Sequence, residues 1–235
     1  DVGTVDATYA SLADKVQAQT GIPYILIDGS FAKSAETLRL VGDLLGVSGR
    51  SEQLADHADR TIKSLDEGLA KIAPDKRPRV YYGRGPEGLE TGLSGSINVE
   101  ILEAVGAINV AAAAGKGGLT HVSLEQILSW NPDMILAASG KFSGSVKDDP
   151  LWADVNAVKA GDVFGAPALP FGWFDSPPGI NRLIGVAWLE RLFYADVFPE
   201  PLAAEVRAFY KLFYQVDLTD EQVSALLNGA LPASK

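Results

Sequence analysis

The side chains best suited to holding a ligand fall in three segments. The first runs from Tyr82 through Arg84 to Glu90, Thr91, Ser94 and Ser96, combining an aromatic face, a cation, a carboxylate and several hydroxyls. Arginine presents its N–H donors in a rigid planar fork, which matches carboxylates and oxyanions. The second, Ser139-Gly140-Lys141-Phe142, adds a hydroxyl, a second cation and a ring. The third, Pro170-Phe171-Gly172-Trp173-Phe174-Asp175-Ser176-Pro177-Pro178, holds Phe171, Trp173 and Phe174 in a proline-stiffened loop. Rings on a stiff loop suit stacking against a flat or bulky ligand. Phe171 and Phe174 would serve equally well as packing beneath that loop.

Several motifs come close to other chemistries and stop short. Gly83-Arg84-Gly85-Pro86-Glu87-Gly88 has the GxGxxG spacing after a predicted strand. A dinucleotide site also needs a helix opening on the last glycine, so that its N-terminus faces the pyrophosphate. The residues that follow, Leu89 to Gly95, read instead as loop or extended chain. Gly115-Lys116-Gly117-Gly118 lacks the Ser or Thr and the upstream glycine of a phosphate loop. His57 sits beside Asp56 and Asp59 on a charged helix face, and His121 precedes a helix cap; as the two histidines of the chain they are not spaced as a pair on one helix. A GxSxG elbow, an HExxH pair and a cysteine nucleophile are all absent from the sequence.

Composition narrows the classes further. The 235 residues are 47% hydrophobic without a run near the roughly 18 apolar residues that a membrane helix needs. With no cysteine, disulfides and thiolate zinc sites are excluded, while the redox compartment stays open. Twenty Lys and Arg against thirty Asp and Glu give a net charge of −10, which opposes the phosphate contacts that dominate nucleic-acid binding.

Stepping along the chain, helical and extended patterns alternate. Three- and four-residue spacing predicts a helix over Thr4–Gln19, and the β-branched run Ile22–Ile27 predicts a buried strand. A helix over Ser34–Leu45 stops at Gly46. From Ser51 to Ala73 apolar residues recur at Leu54, Ala58, Ile62, Leu65, Leu69 and Ile72, one long helix ended by Pro74. Beyond it come a strand at Arg79–Tyr82, a helix over Ser96–Val105, an apolar stretch at Ile108–Ala113 and a capping box at Ser123-Leu124-Glu125-Gln126 opening a helix to Trp130. A strand at Met134–Ala138, a loop over Gly140–Pro150, a strand at Asp162–Ala166 and helices near Gly179–Tyr194, Pro201–Tyr214 and Thr219–Leu227 complete the chain. The alternation predicts an α/β fold with a largely parallel sheet, whose ligand loops lie at the carboxyl ends of its strands.

Four stretches carry a resemblance to a known family. They are Arg79-Val80-Tyr81-Tyr82-Gly83 through Thr91-Gly92; Ser96-Ile97-Asn98 to Asn109-Val110; Val122-Ser123-Leu124-Glu125-Gln126 with Asn131-Pro132-Asp133-Met134-Ile135-Leu136; and Trp173-Phe174-Asp175 leading into the Arg182 helix. Together they resemble the class III periplasmic substrate-binding proteins of ABC importers, the group that carries ferric siderophores, haem and cobalamin. The resemblance implies Rossmann-like lobes joined by one long interlobe helix: residues 1–50 as the remnant of an N-terminal lobe, 51–73 as the interlobe helix and 77–235 as the C-terminal lobe. It also implies binding without catalysis, a permease of the inner membrane as partner and a periplasmic or otherwise extracytoplasmic location. Asp175 falls where the family often has an acidic residue, so permease docking is its first implied role and ligand contact its second.

On the same resemblance the N-terminal lobe is incomplete, since further β–α units would precede Thr4, and a C-terminal fragment is the expectation. The implied function is capture of a ferric chelate of the siderophore type, with no resident cofactor or protein-bound metal. Molybdate, tungstate or cobalamin is the nearest alternative, because Arg84 and Lys141 beside Ser and Thr hydroxyls also suit an oxyanion. An enzyme on a related fold, using Glu90 or Asp175 as acid or base, and an interaction module using the acidic face of residues 51–73 are the rivals from other classes.

Overall fold

The computed structural model describes residues 2–3, 7–138 and 140–232. The chain divides into two compact units, Asp1–Ile62 and Lys63–Lys235. In the first, β1 (Val2–Gly3) pairs in parallel with β2 (Ile27–Asp28) across α1 (Ala7–Thr20). The helix predicted from Thr4 is α1; residues 4–6 of that prediction lie outside the described residues. The strand predicted over Ile22–Ile27 survives only at its last residue. Pro23 supplies no N–H for a ladder, β1 offers two residues to pair with, and Ile22 and Ile25 are exposed.

Next come α2 (Ser34–Leu45) and α3 (Ser48–Leu69). Gly46 ends α2 in the left-handed conformation, with φ 68° and its N–H bonded to the Asp43 carbonyl. Helix α3 runs 22 residues, roughly 33 Å, and the division between the units falls within it. It stops at Leu69, four residues before the expected end at Ala73, because Ala70–Ile72 already turn toward the 3₁₀ segment Pro74–Lys76.

The second unit is built on a four-stranded parallel sheet. Its strands are β3 (Arg79–Gly83), β5 (Ile108–Asn109), β7 (Met134–Ala137) and β8 (Val163–Gly165), in the order β5-β3-β7-β8. Tyr82 lies opposite Leu136, and Leu136 opposite Phe164. A separate antiparallel pair, β4 (Glu90–Gly92) with β6 (Leu119–His121), forms where the sequence suggested loop or extended chain.

Short helices α4 (Glu100–Ala104), α5 (Leu124–Trp130), α6 (Gly140–Ser145) and α7 (Asn156–Ala160) fill the connections. The helix expected over Ser96–Val105 is therefore cut to α4, with turns over residues 96–99, and the stretch from Ile108 is a two-residue strand followed by a 3₁₀ segment at Val110–Ala114. At α5 the capping box forms as predicted, Ser123 and Gln126 each bonding the other's backbone N–H. The segment expected as a loop from Gly140 is instead α6, nailed down by buried Phe142. Helices α8 (Arg182–Phe193), α9 (Leu202–Phe209) with its π-turn Tyr210–Tyr214, and α10 (Asp220–Leu227) close the unit.

One face of the sheet packs Tyr81, Ile135, Ala137 and Val163 with Ile127, Phe142, Trp152 and Val155. Helix α8 is buried nearly all round, from Arg182 to Glu190, as befits a helix inside a unit and not on its surface. Gly185 permits this, since a Cβ there would lie 1.9 Å from the Trp173 carbonyl oxygen.

Candidate functional site

Strand β3 delivers the site. Its alternation sends Tyr81 into the apolar cluster and Tyr82 to the other face, where its ring lies 4.2 Å from that of Phe174. Beyond Gly83 the chain turns back as β4, and the backbones of Arg84 and Glu90 exchange hydrogen bonds of 2.7 and 3.3 Å. That pairing sets the two side chains together, and Arg84 Nη1 donates to Glu90 Oε2. The glycines of the GxGxxG sequence make room for a neighbour instead of a phosphate: at Gly88, φ is +70° and a Cβ would meet the Phe142 ring at 2.1 Å.

Asp175 is the hub. Its side chain is 1% exposed and Arg84 Nε lies 2.7 Å from Oδ2, an ion pair by distance without the alignment of a hydrogen bond. The Tyr82 hydroxyl donates to the same oxygen at 3.3 Å. Oδ1 accepts from Asn98 Nδ2 at 2.9 Å and from the Ser176 N–H at 2.7 Å. Ser96 supports Asn98 in turn, its hydroxyl bonding Asn98 Oδ1 at 3.1 Å. Burial raises the Tyr82 phenol well above its ordinary pKa, reinforced by the Asp175 charge, so Tyr82 stays a donor. Burial also works against the Arg84 cation, but the fields of Asp175 and Glu90 more than offset it and hold the guanidinium firmly protonated.

The expected site residues thus separate. Tyr82, Arg84, Glu90, Phe174 and Asp175 come together, with Ser96 behind them. Trp173 and Phe174 are fully buried, so neither ring is open to stack on a ligand; Trp173 Nε1 donates to the Tyr210 hydroxyl at 3.2 Å. The packing alternative holds for Phe174, whereas Phe171 is 56% exposed. Thr91 is buried with its hydroxyl unpartnered among the described residues, beyond the reach of a ligand in solution. Ser94 is half-buried on a bridge to Lys116, Lys141 is exposed on α6, and Ser139 lies outside the described residues. Asp175, expected at a permease contact, is buried with both oxygens engaged by neighbouring donors. Sequence reasoning passed over Asn98, whose only signal was its place two residues after Ser96.

Arg84 and Glu90 line a cavity of about 190 Å³ together with Glu87 and His121. This is below the roughly 300–1,000 Å³ of pockets for drug-sized ligands and large enough for a small polyatomic ion. Among the described residues no cluster of His, Cys, Asp and Glu could hold a metal ion.

A family model described as periplasmic binding protein matches residues 5–169. The chain belongs to the periplasmic binding protein family. It is 32% identical over 181 residues to the molybdate-binding protein MolA of Haemophilus influenzae, a match covering 76% of this chain and 50% of MolA. To the iron(3+)-hydroxamate-binding protein FhuD of Bacillus subtilis it is 24% identical over 174 residues, 70% of this chain and 53% of FhuD. A solved ABC transporter solute binding protein from Sulfurospirillum deleyianum superposes with a TM-score of 0.86 at 27% identity, covering 97% of this chain and 71% of that one. This periplasmic binding protein therefore spans about half the length of the curated relatives it matches. These relatives are binding proteins by name, in keeping with the class III fold.

Proposed function

We propose that this chain is the ligand-capturing part of an extracytoplasmic solute-binding protein that hands its cargo to an ABC permease, and that the cargo is a small oxyanion of the molybdate or tungstate kind. The observation that carries the anion reading is Arg84: its Nε lies 2.7 Å from a buried carboxylate oxygen, and the residue lines a cavity of about 190 Å³. A cation preorganised at its rear edge donates to a bound anion at little further entropic cost. Burial of Trp173 and Phe174 removes two of the three rings on which the chelate reading leaned. The 32% identity to a molybdate-binding protein supports the same reading.

A ferric chelate of the siderophore type is the second reading, favoured by exposed Phe171 and exposed Lys141, which would meet a larger ligand outside the cavity. Titration calorimetry with molybdate, tungstate, a ferric hydroxamate and cobalamin separates the two. Saturable heat with molybdate or tungstate, weakened at least tenfold by Arg84→Lys, is the expected result, because lysine keeps the charge and loses the planar fork. Heat with the ferric hydroxamate alone, untouched by Arg84→Lys, would transfer the assignment to the chelate.

A further inference from the structure

Arg84 carries two carboxylates, and they are held very differently. Asp175 is sealed in, with donors from Tyr82, Asn98 and Ser176 in addition to Arg84. Glu90 is 30% exposed at its side chain, lines the same cavity as Arg84, and has no second donor among the described residues. Its backbone is fixed by the pairing to Arg84 and by its place opposite His121 on β6, so the side chain can leave while the strand stays. The Glu90 carboxylate therefore occupies a donor of Arg84, Nη1, at a cavity that both residues line.

Building on the oxyanion reading, we propose that Glu90 is a resident competitor for the anion subsite of Arg84: it occupies the Nη1 donor in the empty protein, swings away when cargo enters, and thereby sets which anions are accepted. The competitor is tethered, so its effective concentration is high, and a free anion must outbid it. A singly charged anion with one good acceptor merely replaces like with like and gains nothing. A dianion that spreads its oxygens over both Nη groups does gain. Selection against common monoanions thus follows from a repulsive group as much as from attractive ones. Once displaced, Glu90 also adds negative charge near the mouth beside Glu87, which favours release and keeps affinity moderate.

The test is titration calorimetry of wild type, Glu90→Gln and Glu90→Ala with molybdate, tungstate, nitrate and acetate, each variant first checked for an unchanged far-UV spectrum and unfolding midpoint. The expected result is molybdate binding tightened about tenfold or more in both variants, the scale of losing a charge-assisted hydrogen bond that must be broken first. Measurable nitrate or acetate binding should appear only in the variants. Equal or weaker molybdate binding in both variants, with wild type binding normally, overturns the competitor role and leaves the oxyanion function standing. Silence of all three proteins toward every oxyanion overturns the function itself, and the competitor role with it. If glutamine disturbs folding, the alanine variant decides alone.

Discussion

Arg39 on α2 reaches Glu52, Asp56 and Asp59 on α3 at 2.8, 3.5 and 3.0 Å, with 38% of its side chain exposed and about half of each acid in water. Arg84 likewise faces more than one acid, yet its side chain is 17% exposed and that of its partner Asp175 only 1%. The charges are alike and the solvent differs. Around Arg39, water and salt already satisfy every group, so the pairs tie helix to helix with little net gain. At the Arg84–Asp175 pair, removing Asp175 leaves the donors that converge on it without their acceptor in a place that water enters poorly, whether or not the pair adds net stability.

The largest effect should come from breaking the buried cluster. Asp175→Ala is expected to destabilise the protein by about 3–5 kcal/mol, since it takes the buried carboxylate from Arg84 Nε and the acceptor from Tyr82, Asn98 and Ser176. Urea unfolding measures it, and the loss should be nearly the same in dilute buffer and in about 1 M salt, where the Debye length has shrunk to roughly 3 Å.

A middle case is Glu190 on α8, buried with Arg191 Nη1 donating to one oxygen at 2.7 Å and the other oxygen unpartnered among the described residues. Burial pushes its carboxyl up to about 7 from an ordinary 4.5, with Arg191 opposing and Glu205 and Glu200 adding to the rise. The unfolded chain gives up this proton near 4.5 while the folded chain keeps it to about 7. Over that window the folded state binds more protons, so stability falls as pH rises and levels off above it. Glu190→Gln should flatten this slope in unfolding midpoints recorded from pH 4.5 to 8. A slope unchanged by the substitution would move the pH dependence elsewhere.

The smallest effect belongs to Arg39→Gln. Its midpoint shift should be the least of the three and should vanish in about 1 M salt, which is the opposite of the response at Asp175. A large, salt-resistant loss at Arg39 would erase the contrast between the two arginines.

What the sequence made legible was local. Gly46 as a stop and Ser123 with Gln126 as a capping box depend on residues within one or two turns, and both formed as read. The long helix, the parallel strands β3, β7 and β8 and the buried α8 announced themselves by periodicity and by unbroken apolar runs. The failures needed information from far along the chain. Gly140-Lys141-Phe142-Ser143-Gly144 is poor helix sequence, and it becomes α6 because Phe142 packs on Trp152 at 5.2 Å and against Gly88. Ile22–Ile27 has strand composition, but among the described residues only its last residue, Ile27, pairs with β1. Asp175 reads as an exposed loop acid until Tyr82, 93 residues away, is placed beside it. Arg84 could be chosen from its chemistry; that its neighbours include a permanent carboxylate and a displaceable one could not.

Tyr81 and Tyr82 are consecutive on β3 and so leave the sheet on opposite sides. The Tyr81 hydroxyl donates to the Gly88 carbonyl at 2.7 Å, fastening the turn that carries Arg84, while the Tyr82 hydroxyl reaches Asp175, fastening the acid that grips it. Two adjacent phenols thus tether both jaws of one clamp to a single strand. Moving this arginine–carboxylate clamp to another scaffold therefore means transplanting β3 together with its turn, in register. A graft of Gly83–Glu90 alone would arrive with its arginine and without either anchor, and a one-residue insertion within β3 would swap the anchors and release both jaws together.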